Sequence, residues 1–172
     1  MTRLIIATGN PHKLSEYREL LHGIKLGSLA DFPPFDEVDE NFSNFARNAA
    51  QKARTAHDNT GEICLADDSG LEIMALNGAP GVRSKRFVPG PDEDRYRTVL
   101  TQLDGETNRK ARFACAIAIA GIPVPAQLPT ELISCDGCVV AMGYLSGQIA
   151  HEPRGIHGFG YDPIFQIPDG RT

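Results

Sequence analysis

The pattern of apolar and polar residues at the start of the chain predicts a strand followed by a helix. The apolar run "LIIA" at residues 4–7 ends near a glycine, as expected for a short buried strand. Asn10 then suits a helix N-cap, and Pro11 suits the first helical position. Apolar residues recur at helical spacing at Leu14, Tyr17, Leu20 and Leu21.

A second helix and a second strand follow a proline-broken loop. The segment "FPPFDEVDENFSNFARNAAQKARTAHDN" acquires a helical pattern near Asn41. Its apolar face is formed by residues three or four positions apart, Phe42, Phe45, Ala49, Ala53 and Ala56. After Thr60-Gly61, the run "EICLA" predicts a buried strand with Asp67 and Asp68 at its carboxyl end.

The second half of the chain predicts one helix and several strands. The segment "DEDRYRTVLTQL" carries acids at its start and an apolar face, as a docked helix does. The segments "ARFACAIAIAG", "CDGCVVAMGYLSGQIA" and "DPIFQI" are rich in strand-forming residues, with Ser146-Gly147 as a hairpin turn. The predicted fold class is therefore α/β, with a mixed sheet and flanking helices.

Composition limits the classes of protein that fit this pattern. The chain has 172 residues and is 41% hydrophobic, enough for one domain with a real core. Its formal net charge of -5 argues against a nucleic-acid partner. No apolar run reaches the roughly 20 residues of a membrane span, and the start does not resemble a signal peptide, so we expect a cytoplasmic protein with no membrane partner. The spacing of Cys135 and Cys138 indicates a turn entering a strand rather than a metal or redox pair.

The first predicted helix has a charge pattern that suits an anionic ligand. Its first turn carries His12 and Lys13 but no acid, although the helix dipole disfavours cations there. Free backbone N–H groups, Thr8, Asn10 and Lys13 together suit phosphate oxygens. The pattern fits equally well a helix that Asn10 merely caps and a Lys13 that faces water.

Asp67 and Asp68 form the most unusual polar feature of the chain. In a strand, adjacent side chains point to opposite faces, so one carboxylate at most faces a ligand directly. Magnesium would offset their repulsion and bridge a carboxylate to phosphate. Taken alone, however, Asp-Asp-Ser-Gly is more typical of a plain turn. An acidic cluster lies before the second helix, most of it expected to be solvated, with one member free to reach a metal: Asp36, Glu37, Asp39 and Glu40.

A glycine-rich segment near the end, "EPRGIHGFGYDPIF", has the features of a loop over a nucleotide. Glycine permits close approach of the backbone to a ligand, and the Phe159 and Tyr161 rings are able to stack on a base. A flexible glycine loop with both rings in the core fits the segment equally well.

Three of these segments also resemble the motifs of a known family. "ATGNPHK", "LADDSGLEIMALNGAPGVRSKRF" and "EPRGIHGFGYDPIF" are similar, in order and approximate spacing, to those of inosine/xanthosine triphosphate pyrophosphatases. The resemblance spans the chain from Leu4 to Phe165. It implies an elongated two-lobed domain around a long mixed β-sheet, with a central nucleotide cleft, assembled as a homodimer.

The same resemblance implies a reaction. Relatives of this kind hydrolyse ITP, dITP and XTP to the monophosphate and pyrophosphate, which cleanses the nucleotide pool, and they depend on Mg²⁺, for which Mn²⁺ is a possible substitute. The 6-oxo group of hypoxanthine or xanthine would accept a hydrogen bond that adenine does not.

The resemblance further implies roles for individual residues. Asp68 would be the catalytic carboxylate, as general base or metal ligand, with Glu40 as a second metal ligand and Asp67 as a supporting residue. The phosphates would be held by Thr8, Gly9, Asn10 and Lys13. The remaining contacts to substrate would come from Ser69, Phe159, Gly160, Tyr161 and Asp162.

The chain departs from the family pattern at its end. Relatives continue beyond the position of Thr172 with a lysine and a Ser-His-Arg motif that contact the nucleotide. We therefore expect a single domain over residues 1–172 that lacks this C-terminal segment. Two alternatives remain on sequence grounds: a nucleotide-binding protein with impaired catalysis, and a pyrophosphatase for modified pyrimidine nucleotides.

Overall fold

The computed structural model of the chain describes residues 3–36, 38, 40–155 and 158–168. Within these residues the helices are α1 (Pro11–Leu20), α2 (Phe45–Thr60) and α3 (Asp92–Gln102). The strands are β1 (Leu4–Ile6), β2 (Leu26–Ser28), β3 (Ile63–Ile73), β4 (Lys110–Ala120), β5 (Leu132–Cys135), β6 (Cys138–Ile149) and β7 (Phe165–Gln166). None of the described helices is both long enough and apolar enough to cross a membrane.

The strands form one mixed sheet in the order β2-β1-β3-β4-β6-β5, with β7 paired to β6. β1 pairs in parallel with β2 and β3, whereas β6 pairs antiparallel with β5 and β7. The predicted α/β class with a mixed sheet and flanking helices is therefore confirmed.

The chain divides into two compact units. The first unit comprises Met1–Asp68 and Cys115–Met142, and the second comprises Ser69–Ala114 and Gly143–Thr172. Each has its own apolar cluster. In the first unit Ile6, Tyr17 and Leu65 are buried together. The second unit packs a larger set, which includes the Phe113 and Phe165 rings at a centroid distance of 4.7 Å, and its buried members are Leu71, Ile73, Val99, Leu103, Ala111, Ile149, Tyr161, Ile164 and Phe165.

Helix α1 begins as predicted, and α2 begins slightly later than predicted. The Asn10 side chain accepts a hydrogen bond from the backbone of His12, with Pro11 at the start of α1. Asn44 caps α2 by accepting from the backbone of Arg47, so the helix starts at Phe45 rather than near Asn41. The buried face of α2 is mostly alanine, which allows the helix to lie close to the sheet.

The prediction that Asp-Asp-Ser-Gly forms a turn is wrong. Residues Asp67 to Gly70 lie inside β3, which continues without interruption from Ile63 to Ile73. β3 lies between β1 and β4 in the order of the sheet, and Asp67, Asp68 and Gly70 are buried in it. Pairing and burial in a central strand outweigh the local turn preference of these residues.

The predicted hairpin at Ser146-Gly147 is also wrong, because β6 runs through both residues. The hairpin lies at Asp136 and Gly137, whose φ angles of 48° and 78° suit a two-residue turn between β5 and β6. Cys135 and Cys138 flank this turn as free cysteines, which confirms the interpretation of their spacing as a turn.

Gly147 serves a different purpose from the one its sequence context suggests. A Cβ atom at this position would lie 2.5 Å from the Gln166 carbonyl oxygen and 2.6 Å from Cζ of Phe165. Because both distances are too short for a real contact, the position requires glycine for the close approach of β7, not for a turn.

We predict that Gly147→Ala destabilises the protein by about 1–3 kcal/mol, the usual cost of overpacking. Ser146→Ala, one residue earlier and exposed, is the matched control and should change the free energy of unfolding by less than about 0.5 kcal/mol. Urea unfolding followed by circular dichroism measures both. Equal stability of the two variants would contradict the close-approach explanation.

Candidate active site

Asp67 and Asp68 lie immediately beyond the end of β1. Ile6, the last residue of β1, is in register with Leu65, and the Ala7 N–H donates to the Leu65 carbonyl at 2.7 Å. The chain then leaves the sheet through Thr8 to Asn10 and enters α1. The parallel pairing of β1 and β3 thus brings the two acidic residues and the first loop to the same part of the first unit, as predicted.

Strand alternation sends the two carboxylates toward different helices. Asp67 Oδ2 lies 3.1 Å from Nζ of Lys13 on α1, and Asp68 Oδ1 lies 3.7 Å from Nζ of Lys52 on α2. Both acids are buried. Each of the two adjacent negative charges therefore has its own cationic partner.

The Asp67 carboxylate is stabilised by two side chains of α1. Besides Lys13, the hydroxyl of buried Tyr17 hydrogen-bonds to Asp67. Burial alone would lower the pKa of Lys13, but the nearby Asp67 charge outweighs that effect, and the pKa is raised. Burial, together with the Asp67 charge, raises the pKa of Tyr17. Lys13 is thus held as an ammonium against Asp67 rather than facing water.

The loop between β1 and α1 is ordered by its own side chains. Thr8 Oγ1 accepts from the Asn10 N–H at 3.1 Å, and Asn10 Oδ1 accepts from the His12 N–H at 3.0 Å. Gly9 between them is exposed. The structure therefore shows that Asn10 caps the helix, and it places all four predicted phosphate-binding residues, Thr8, Gly9, Asn10 and Lys13, within one loop and one helical turn.

The Asp68 carboxylate is surrounded by residues of α2 and the preceding loop. Asn48 Nδ2 donates to Asp68 Oδ2 at 2.9 Å, and Lys52 Nζ also donates to Glu40 Oε1 at 2.8 Å. Burial raises the pKa of Asp68; Lys52 and the Asn48 hydrogen bond oppose this effect, and the charges of Glu40 and Asp67 add to it. Asp68 is therefore a carboxyl group with an increased affinity for a proton, a property of general bases.

Glu40 and Asp68 are a suitable donor pair for a hard divalent cation. Their oxygens face the same ammonium group, that of Lys52, at 2.8 and 3.7 Å. The described residues contain no cluster of three or more His, Cys, Asp or Glu side chains arranged as a metal site. Magnesium, however, is commonly held by only one or two carboxylates, with phosphate oxygens and water completing its shell. Of the predicted acidic cluster, Glu37 and Asp39 lie outside the described residues.

Three residues of this site were not predicted from the sequence: Tyr17, Asn48 and Lys52. Asn48 lies three residues after Phe45 and four residues before Lys52. Both polar residues therefore lie on the same face of α2 as its predicted apolar residues. A carboxamide on an otherwise alanine-rich buried face is the signal that identifies such a residue. Tyr17 carried no comparable signal, because it was counted only as an apolar residue.

The predicted base-binding residues lie in the second unit. Their loop is fixed by hydrogen bonds to Asp92 and Asp162: the Gly160 N–H donates to Asp92 Oδ2 at 2.6 Å, and the Phe159 N–H donates to Asp162 Oδ2 at 2.9 Å. Ser69, also a predicted contact, is the first residue of this unit and follows Asp68 in β3.

The two aromatic rings of this loop have different environments. Phe159 is 39% exposed, whereas Tyr161 is 4% exposed and donates its hydroxyl to the Ser84 carbonyl at 2.9 Å. Burial raises the pKa of Tyr161 to about 12. Of the two rings that the sequence suggested as either stacking groups or core members, Phe159 is partly exposed and Tyr161 is part of the core. Residues 156 and 157 of the segment lie outside the described residues.

Comparison with known proteins gives consistent matches over most of the chain. A dITP/XTP pyrophosphatase from an Exiguobacterium species is 44% identical over 171 residues, covering 96% of this chain and 81% of the relative. The solved structure of the Staphylococcus aureus Ham1 protein matches with a TM-score of 0.84 at 33% identity, covering 99% of this chain and 84% of that one.

A solved nucleoside-triphosphatase / dITP/XTP pyrophosphatase from Mycobacterium abscessus matches with a TM-score of 0.79 at 39% identity, covering 99% of this chain and 87% of that one. The Ham1 family profile matches residues 4–172. The similarity thus extends through the loop of β1, both aspartates of β3 and the aromatic loop. The chain belongs to the Ham1 family.

Proposed function

We propose that the protein hydrolyses the noncanonical purine nucleoside triphosphates ITP, dITP and XTP to the monophosphate and pyrophosphate. The observation that carries this proposal is Asp68, a buried carboxyl group with a raised pKa beside a loop and two lysines suited to phosphates. The relatives named dITP/XTP pyrophosphatase support the same reaction and favour purine over modified pyrimidine substrates.

The triphosphate needs compensation for its negative charge before water can attack it. Lys13 and Lys52 supply two ammonium groups, and the N-terminus of α1 supplies backbone N–H groups. Thr8, Gly9 and Asn10 shape the loop that meets the phosphates. In this proposal the phosphates compete with Asp67 and Asp68 for the two lysines, so binding rearranges ion pairs that already exist.

Asp68 acts as the general base in the hydrolysis. Asn48 donates to Oδ2 and orients the carboxylate, which accepts the proton of the attacking water. The water oxygen forms a bond to the α-phosphorus while the bond from that phosphorus to the bridging oxygen breaks, and pyrophosphate leaves. Without a bound cation the pKa of Asp68 is raised, the direction that brings a carboxyl group closer to the working pH of a general base.

Glu40 and Asp68 are the residues that would hold Mg²⁺, or Mn²⁺ in its place. When bound, the cation supplies positive charge against the phosphate oxygens. Lys52, which contacts both carboxylates, would then be available to the substrate phosphates.

The base is assigned to the loop of the second unit. Phe159 stacks on the purine, while Gly160, Tyr161 and Asp162 shape its surroundings, and Ser69 contacts the substrate next to Asp68. Discrimination against adenine follows from the 6-oxo group of hypoxanthine or xanthine, which accepts a hydrogen bond that adenine does not. A homodimer and a cytoplasmic location, both expected from the sequence, stay predictions of this proposal.

The first test is product analysis with dITP, XTP, dGTP and ATP in the presence of Mg²⁺. The parent protein should release pyrophosphate and monophosphate from dITP and XTP in preference to dGTP and ATP. Asp68→Asn should reduce turnover by about 100-fold to 10,000-fold, the usual contribution of a general base. Binding of dITP without pyrophosphate release would contradict the proposal and favour a nucleotide-binding protein. A preference for modified pyrimidine triphosphates would contradict the assigned substrate class.

The neighbouring carboxylate should behave differently when it is neutralised. Asp67→Asn keeps an oxygen that accepts hydrogen bonds from Lys13 and Tyr17, so turnover of dITP should stay within about tenfold of the parent. Asp67→Ala removes that acceptor from half-buried Lys13 and buried Tyr17 and should reduce turnover further. Steady-state kinetics of both variants measures the difference. If Asp67→Asn is as damaging as Asp68→Asn, the catalytic carboxylate has been assigned to the wrong residue.

The raised pKa of Asp68 also predicts a pH-dependent effect on stability. A carboxyl group with a folded-state pKa above its unfolded value favours folding when protonated, and this contribution is lost as the pH rises through the folded pKa. Asp68→Asn, which cannot ionise, should therefore melt at a higher temperature than the parent near neutral pH. The difference should disappear at a pH below the unfolded pKa of about 3.9. Thermal melts of both proteins across this range measure it; a variant that is less stable than the parent at neutral pH would show that the ionised carboxylate is favourable there.

A further inference from the structure

The side chain of Asn48 forms hydrogen bonds to residues outside helix α2. Its side chain is fully buried, with 0% exposure. Nδ2 donates to Asp68 Oδ2 at 2.9 Å and to the Phe42 carbonyl at 3.2 Å, while Oδ1 accepts from the Phe42 N–H at 3.1 Å. One carboxamide thus satisfies both backbone groups of Phe42 and one oxygen of Asp68.

These hydrogen bonds join two segments that are far apart in sequence. Phe42 lies two residues after Glu40, in the loop before α2, and Asp68 lies in the central strand β3. Lys52, one turn after Asn48, contacts both Glu40 and Asp68. Two side chains of helix α2, charged Lys52 and uncharged Asn48, therefore connect the loop to the strand and hold them at a fixed separation.

We propose that Asn48 is a positioning residue for the carboxylate pair formed by Glu40 and Asp68. It fixes the Glu40 loop against β3 and orients Asp68, and in this way it sets the affinity of the pair for a divalent cation. The inference rests on the proposed function for the assignment of Glu40 and Asp68 as cation ligands. Asn48 itself touches neither the cation nor the water in this scheme.

The chemistry of the amide explains why asparagine is suited to this position. It provides an acceptor for the Phe42 N–H and two donor hydrogens for oxygen atoms, which matches the three observed partners. Alanine would leave buried polar groups of Phe42 and Asp68 without a partner. Aspartate would keep an acceptor for Phe42 but would place a negative charge beside Asp68.

Asn48→Ala and Asn48→Asp, with Asn44→Ala as a matched control, test the proposal. Asn44 lies four residues earlier, as the N-cap of the same helix, where its side chain accepts from the backbone of Arg47. Asn44→Ala therefore also removes one side-chain hydrogen bond from α2, but none to Phe42 or Asp68. Circular dichroism first establishes that each variant is folded.

Two measurements do not depend on turnover. Calorimetric titration with Mn²⁺ gives the cation affinity, and hydrogen exchange gives the protection of the Phe42 amide. We expect Asn48→Ala to weaken Mn²⁺ binding by about 10-fold to 100-fold, as loss of a residue that orients metal ligands does. It should also accelerate exchange at Phe42. Asn48→Asp should weaken binding while largely keeping the Phe42 amide protected, and Asn44→Ala should change neither quantity by more than about twofold.

A third measurement connects the residue to the reaction. The Mg²⁺ concentration that gives half-maximal pyrophosphate release should rise by about the same factor as the Mn²⁺ dissociation constant in each Asn48 variant. Rescue of kcat at high Mg²⁺ would support a positioning role, since a group in contact with the reacting atoms could not be replaced by added metal.

Several outcomes would overturn the inference. Folded Asn48 variants that bind Mn²⁺ as tightly as the parent would do so, and so would a parent protein that binds no Mn²⁺. If Asn44→Ala loses as much Mn²⁺ affinity and Phe42 amide protection as the Asn48 variants, then Asn48 only stabilises α2 in general. A parent that binds Mn²⁺ but releases no pyrophosphate would refute the proposed function, while the Mn²⁺ and exchange measurements would still decide the role of Asn48.

Discussion

The burial of two adjacent carboxylates in one strand is the constraint on which the rest of the site depends. Like charges in neighbouring residues are costly to bury unless each is paired and hydrogen-bonded. β3 meets this requirement by alternation: Asp67 faces Lys13 of α1, and Asp68 faces Lys52 of α2. Both helices must therefore lie close to β3 within the first unit, because each supplies the lysine that balances one of the two carboxylates.

The two helices supply their contacts with the same spacing. On α1, Lys13 and Tyr17 are four residues apart and both contact Asp67; on α2, Asn48 and Lys52 are four residues apart and both contact Asp68. Residues at this spacing lie on one face of a helix. The groups that contact the two aspartates thus belong to regular elements with buried faces, which hold side chains more precisely than loops do.

Sequence patterns predicted the local parts of this arrangement and missed the parts that tertiary packing determines. Asn10 and Pro11 define the start of α1 through backbone chemistry within a few residues, and that prediction was confirmed. Asp-Asp-Ser-Gly and Ser146-Gly147 look like turns locally, but neighbouring strands convert both to strand. Asn48 was missed because a buried amide is recognisable only once its partners, distant in sequence, are known. The different burial of Phe159 and Tyr161 likewise depends on a contact with Ser84.

The family resemblance assigns catalysis to the second aspartate, and the structure gives a physical reason for this asymmetry. Asp67 receives two donors of its own, an ammonium at 3.1 Å and a phenolic hydroxyl. Asp68 receives one amide and a more distant ammonium, at 3.7 Å, that lies closer to Glu40. Burial raises the pKa of Asp68; Lys52 and Asn48 only partly oppose this effect, and the charges of Glu40 and Asp67 add to it. A carboxylate in that condition gains most from a cation or a proton, which is consistent with the role proposed for Asp68.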